Sequence, residues 1–199
     1  MHEEILRLQA TAGNRAVAHA VKASKPPTGS TEFEDCPANW KTEAKAAAAL
    51  SKQWLPSVIT GLYNMPQPVP YPIRSYASLY FGTTRRSDLQ HIAYNLAQVL
   101  GGLTGNIYFQ CEHAGGMCSS ASAYMYVLGR DIHLCPSWFH NQDGPEKAAT
   151  VIHELAHLRF GADDIAYDGD KAFHKLPPDK AMNNADTYSE FVQETHGMF

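Results

Sequence analysis

The run AATVIHELAHL, residues 148–158, constrains the fold more than any other stretch of the chain. Its apolar residues recur at helical spacing, so it reads as a helix. That helix is expected over 145–160, buried against a sheet. Two histidines and a glutamate interrupt its apolar surface, and the rest of the fold has to accommodate them.

His153 and His157 stand at i and i+4, which puts both imidazoles on one helix face. Two imidazoles so placed can converge on one Zn²⁺ at about 2.0–2.1 Å. Glu154 lies beside His153 and can serve as general base toward a water activated by the metal. A catalytic zinc needs a third protein ligand and one open position. The pattern HExxHxxGxxH fails, because Phe160 and Asp163 stand where it requires Gly and His. A glutamate from a later helix is one alternative, with Glu190 and Glu194 as candidates. An aspartate just beyond the helix is another. Gly161 can end the helix in a left-handed turn, which reverses the chain and brings Asp163 or Asp164 back toward the histidines. Spacing alone does not choose between them. Glu154 weighs against a zinc that merely braces a binding module, since a structural site has no use for that carboxylate.

The chain has 199 residues, 44% hydrophobic and 18% charged, which suits one domain or one domain plus a tail. Its formal net charge of −4 argues against a nucleic-acid binder. No apolar run approaches the ~20 residues that cross a bilayer, and a monomer is expected. Residues 1–23 read as an amphipathic helix without the apolar core of a secretory signal. KASKPPTGST then has linker composition, which sets a boundary near residue 30. Helices are expected over Asn39–Leu62, bent or broken at Pro56, and over Asp88–Leu100, stopped by Gly101 and Gly102. Between them YNMPQPVPYPIRS is expected to be an extended loop. Strands are expected at 106–111, 123–129 and 130–136, and a last helix at 183–195. The class is α+β, mostly helical with a small sheet. Cys36, Cys111, Cys118 and Cys135 allow two disulfides in three pairings. His91, His113, His133, His140, His174 and His196 lack partner spacing and read as surface or packing residues. Met117 and Met125 read as core or cleft lining.

The stretch after the helix, GADDIAY, resembles the GTxDxxY motif that aspzincin metallopeptidases join to HExxH. Ala162 stands where that family has Thr. The resemblance extends over roughly 35–195 and includes YFGT (80–83), AYMYV, the IHLCPSWF segment (132–139) with Trp138-Phe139, and Asn184-Ala185-Asp186-Thr187-Tyr188. It implies a zincin-like metallopeptidase domain over 31–199, cutting protein or peptide substrates. It also implies His153, His157 and Asp164 as zinc ligands, Glu154 as base, and Tyr167 as the phenol at the oxyanion. Disulfides Cys36–Cys111 and Cys118–Cys135 follow from the same resemblance, and they belong in an oxidising, extracellular setting. Asp186 would orient a ligating histidine or line the pocket for the residue after the cut, unless it only caps the last helix. Lys-specific members carry a second carboxylate three residues further on. Here that residue is Ser189, with Glu190 one beyond, so broad specificity is as compatible as Lys specificity.

Residues 8–17, LQATAGNRAV, resemble a segment of bacterial proteins linked to contractile injection systems and related toxins. That resemblance implies a targeting role for residues 1–30, export without a classical signal, and a toxin-like protease acting on one host protein as an alternative to general proteolysis.

Overall fold

The computed structural model describes residues 30–126 and 131–199. The expected helix over 1–23 and the segment 8–17 lie outside the described residues. Among the described residues one sheet forms, in the order β1-β2-β4-β3. It comprises β1 (Thr31–Glu34), β2 (Ile107–Cys111), β3 (Ala123–Tyr124) and β4 (Asp131–Leu134). β1 and β4 flank β2 in parallel, and β3 runs antiparallel on the outer side of β4. The helices are α1 (Ala38–Tyr63), α2 (Ile73–Phe81), α3 (Arg86–Thr104), α4 (Pro136–Asn141), α5 (Gly144–Phe160), α6 (Pro178–Ala181) and α7 (Ala185–Thr195). No helix among the described residues is long and apolar enough to cross a membrane.

The core is formed where α1, α3, α5 and α7 meet. Leu55 and Ile59 of α1, Ile92 and Leu96 of α3, Val151 and Leu155 of α5, and Tyr188 and Phe191 of α7 are all buried. Ser51 ties α1 to α5: its hydroxyl donates to the Ala148 carbonyl at 2.8 Å and to the Ala47 carbonyl at 2.9 Å. α5 is fixed at both ends. Asp143 accepts from the Glu146 amide at 2.9 Å, and Glu146 accepts from the Asp143 amide at 2.8 Å, a complete capping box. At the other end Gly161 sits at φ 71°, the left-handed stop expected there.

Several expectations are corrected. Pro56 does not break α1, which runs on to Tyr63 because Leu55, Val58, Ile59 and Leu62 continue its buried face past the missing hydrogen bond. The helix begins at Ala38, one residue before its expected start. The proline-rich loop ends at Pro72, not at Ser75. Beyond it Ile73, Ala77, Tyr80 and Phe81 form one buried helical stripe. α3 runs through Gly101 and Gly102 to Thr104. Gly102 is there for close approach: a Cβ on it would lie 2.6 Å from Arg159 Nε and 3.2 Å from Leu155 Cδ2. The expected strand at 123–129 is regular only at Ala123–Tyr124, and residues 127–129 lie outside the described residues. Pro136 begins α4 instead of closing a strand. β1 was not anticipated, since TEFE is half exposed and acidic and gains its pairing only from β2.

Cys36 is joined to Cys111 and Cys118 to Cys135, across 75 and 17 residues of chain. This is the pairing that the resemblance implies. Loop-closure entropy assigns these links about 4.5 and about 3 kcal/mol. The first fixes the β1–α1 junction to the end of β2, and the second fixes the loop before β3 to the end of β4.

The capping box supports the helix that carries the histidines. Asp143→Ala is expected to cost about 1 kcal/mol and to lower Tm by about 2–4 °C, read by calorimetry. An unchanged Tm would show that tertiary packing alone holds the start of α5.

Candidate active site

His153, Glu154 and His157 lie on the last three turns of α5, at the floor of a cleft of about 1180 Å³. The left-handed turn at Gly161 folds the following strand of chain back over the helix end. There the Ala162 carbonyl accepts a hydrogen bond from His157 Nδ1 at 2.7 Å. The partner is a main-chain oxygen, so alanine in place of threonine at 162 leaves this contact intact.

The next two residues face opposite ways. Asp163 pairs through its backbone with the start of α7: its amide donates to Asn183 at 2.7 Å, and its carbonyl accepts from Ala185 at 2.9 Å. Its carboxylate accepts from Asn183 Nδ2 at 2.6 Å. Asp164 therefore points to the other side, where its Oδ1 lies 3.1 Å from both His153 Nε2 and His157 Nε2. The two Nε2 atoms are 3.0 Å apart.

Asn184, which sequence reasoning assigned no role, shapes this loop. It is fully buried. Its side-chain oxygen accepts from the Ile165 and Ala166 amides at 2.8 and 3.1 Å. Its amide group donates to the Ala166 carbonyl at 2.9 Å and to Thr187 Oγ1 at 3.0 Å. Its place before Ala185-Asp186 in the family-like segment was the available signal. Asp186 is in the first turn of α7 but does not cap it; Asn184 holds the cap position. Asp186 Oδ1 lies 3.3 Å from His153 Nδ1, and its Oδ2 accepts from the Asp168 amide at 2.6 Å.

These contacts test whether the donor set suits a metal. The Ala162 carbonyl can only accept, so His157 carries its proton on Nδ1. The Asp186 carboxylate asks the same of His153. Both Nε2 lone pairs then face each other and a carboxylate oxygen. Three acceptors at 3.0–3.1 Å repel unless a metal ion or a proton sits among them. Tetrahedral ligands at zinc distances stand ~3.3 Å apart, close to what is found. The same demand for positive charge appears in the titration. Burial opposes charge on His153, but the Asp164 and Asp186 carboxylates outweigh it and push its pKa up to about 10. Partial burial likewise disfavours the Asp164 carboxylate, yet the two imidazoles hold its pKa well below the usual range. Among the described residues His153, His157 and Asp164 form the one group with metal-ligating spacing. Glu190 lines the cleft outside that group, and Glu194 does not line it.

Glu154 is buried and borders the cleft. Burial raises its pKa, partly countered by His153 and His157. The Tyr167 ring lies parallel to His153 with 6.1 Å between centroids. Burial, followed by the charge of and a hydrogen bond to Asp164, raises its pKa, so the phenol remains a donor. Met117 and Met125 line the cleft as expected. His133 is buried against Glu112, within the packing role expected of it.

Comparison with known proteins identifies the family. The aspzincin family model, described as lysine-specific metallo-endopeptidase, matches residues 74–193, and the chain belongs to that family. A probable neutral protease 2 homologue of Arthroderma benhamiae is 30% identical over 128 residues, covering 57% of this chain and 36% of that protein. A probable neutral protease 2 homologue A of Trichophyton rubrum is 32% identical over 102 residues, covering 46% and 28%. The match thus spans about a third of the length of these relatives. A zinc peptidase from Grifola frondosa has the same fold, with a TM-score of 0.65 at 22% identity over 80% of this chain and 98% of that one. Membership in a metallopeptidase family implies zinc, and the donor set fits it.

Two measurements follow. Asp164→Ala is expected to empty the site of zinc by elemental analysis while Asp163→Ala retains one ion per chain; the reverse result would move the ligand to Asp163. Glu190 is expected to make stability pH-dependent. Burial, then the charges of Asp186 and Asp168, raises its pKa from 4.5 to about 7. The folded state therefore binds this proton more tightly than the unfolded one, and stability falls as pH rises from about 4.5 through about 7. Glu190→Gln should raise Tm at pH 8 and leave it unchanged at pH 4.5. Equal Tm values at both pH values would contradict this.

Proposed function

We propose that the chain is a zinc-dependent metalloendopeptidase with a zincin-like catalytic domain over residues 31–199. In this reading His153, His157 and Asp164 hold the ion. The observation that carries the proposal is the buried Glu154 carboxyl, open to a substrate-sized cleft and adjacent to two imidazoles whose free nitrogens converge with Asp164. A site that only braced the fold would be closed by a fourth protein ligand and would have no use for this carboxyl.

Zinc, when bound, supplies a Lewis acid that acidifies water and polarises a carbonyl. Glu154, with its pKa raised by burial, takes the proton of the attacking water and returns it to the leaving amine. Tyr167, kept protonated, donates a hydrogen bond to the developing oxyanion. Asp186 orients His153 and also borders the cleft, where it contributes to the pocket for the residue after the cut. Glu190 adds acidity to that wall, but a pKa of about 7 leaves it only partly ionised at neutral pH. With Ser189 three residues after Asp186 and Glu190 one beyond, broad specificity is as compatible as a preference for lysine.

The two disulfides suit an extracellular protein. Residues 1–30 are assigned to targeting on the resemblance of residues 8–17, with an injection apparatus as the partner that reads them.

Glu154→Gln should keep one zinc per chain and lose about 10²–10⁴-fold in casein hydrolysis. Casein cleavage at the wild-type rate would refute the mechanism, and wild-type activity insensitive to chelation would refute the metal's role.

A further inference from the structure

Among the described residues β3 is an edge strand with two paired residues, Ala123 opposite Leu134 and Tyr124 opposite His133. Yet Ser122, Ala123, Tyr124 and Met125 form a wall of the same cleft that holds His153 and Glu154. So short a ladder is marginal by itself. Behind the wall stands a polar cluster that the catalytic reading does not use. His133 is 7% exposed and does not border the cleft. Its Nδ1 lies 2.6 Å from Glu112 Oε1. Its ring stacks on Tyr124 with 4.7 Å between centroids and 6° between planes, and the Tyr126 ring meets it edge-on at 5.1 Å. The Tyr124 hydroxyl faces Tyr126 and Glu112.

The geometry has a direct mechanical consequence. Tyr124 and His133 are opposed across the ladder, so their side chains share one face of the sheet and stack. The Glu112 bond fixes the rotation of the imidazole, and the imidazole fixes the Tyr124 ring. The Tyr124 backbone in turn sets the height and register of the cleft wall. The Cys118–Cys135 disulfide and the bond from the Cys135 amide to the Ser122 carbonyl, 2.9 Å, anchor the strand before this point. His133 is the next tie after them.

We propose that His133, held by Glu112 and stacked on Tyr124, is a positioning residue for the peptidase reaction: it sets the β3 wall against which an extended peptide substrate lies. The proposal rests on the metalloendopeptidase reading. It separates residues that hold the wall from those that perform the chemistry. Substrate length should therefore reveal it, because only a peptide long enough to run along β3 depends on the wall.

The test uses two fluorogenic peptides built on one cleavage site taken from casein, of ten and of four residues. His133→Leu should raise KM for the long peptide about tenfold, leave its kcat within about twofold and leave KM for the short peptide unchanged. Zinc per chain should not change. His133→Phe, which keeps a ring on Tyr124, should recover part of the loss and serves if the leucine variant fails to fold. Glu112→Gln, which keeps an acceptor for Nδ1, should recover most of it. Unchanged KM for both peptides, or an equal fall in kcat for both, would overturn the proposal. Amide exchange at Tyr124, the residue of β3 whose amide faces β4, is read in parallel and needs no activity. Faster exchange there in His133→Leu, with β2 unaffected, supports the clamp even if the wild-type protein cleaves neither peptide, a result that would refute general proteolysis instead. Unchanged exchange overturns the clamp.

Discussion

Two imidazole nitrogens and a carboxylate oxygen, all acceptors, are held within 3.1 Å of one another. Nothing about such a grouping is stable alone. It persists because each group is gripped from behind: His157 by the Ala162 carbonyl, His153 by Asp186, and Asp164 by a loop moulded onto Asn184. The surrounding fold supplies these grips, and a cation resolves the repulsion they create. The low pKa of Asp164 and the high one of His153 express the same fact from the two sides of the charge balance.

The grips originate in only two places, the end of α5 and the start of α7. α5 is buried along the stripe from Ala148 through Ala156 and stopped by Gly161. α7 is buried through Tyr188, Phe191 and Val192. Its first turn delivers Asn184 and Asp186 to the loop that α5 leaves behind. Moving either helix by an ångström would break several short hydrogen bonds together, so core packing and site geometry are one constraint. The sheet contributes differently. Its inner strands are held by pairing on both sides, whereas β3 pairs only with β4 and is anchored by the disulfide in the loop before it.

Much of this was legible in the sequence. The HExxH helix, its glycine stop, β2, β4 and the last helix all follow from local periodicity and from residues with restricted backbone angles. What was missed has a physical pattern. α2 hid behind four prolines, because a helix may begin directly after a proline that no helix interior would accept. α3 ran past two glycines, because Gly102 is required by the approach of Arg159 and Leu155, residues far away in sequence. β1 had no local signal, since its support comes from segments distant in sequence: parallel pairing with β2 and the stacking of Phe33 on Phe109. Asn184 looked like one polar residue among several until its side chain was seen to bond four separate groups.

The choice between Asp163 and Asp164 shows where sequence reasoning stops. Periodicity brought two histidines to one helix face, and the glycine turn brought an aspartate back toward them; both are local effects of 3.6 residues per turn and of a left-handed dihedral angle. Which aspartate arrives depends on which face of the returning chain is tied down. The backbone of Asp163 bridges to Asn183 and Ala185, twenty or more residues later, and that pairing turns Asp164 inward. The sequence by itself determined the chemistry available on the α5 face. Only the tertiary structure decided the third donor, the partners that fix the histidine tautomers and the wall of the cleft, because each depends on contacts between segments that local propensity does not relate.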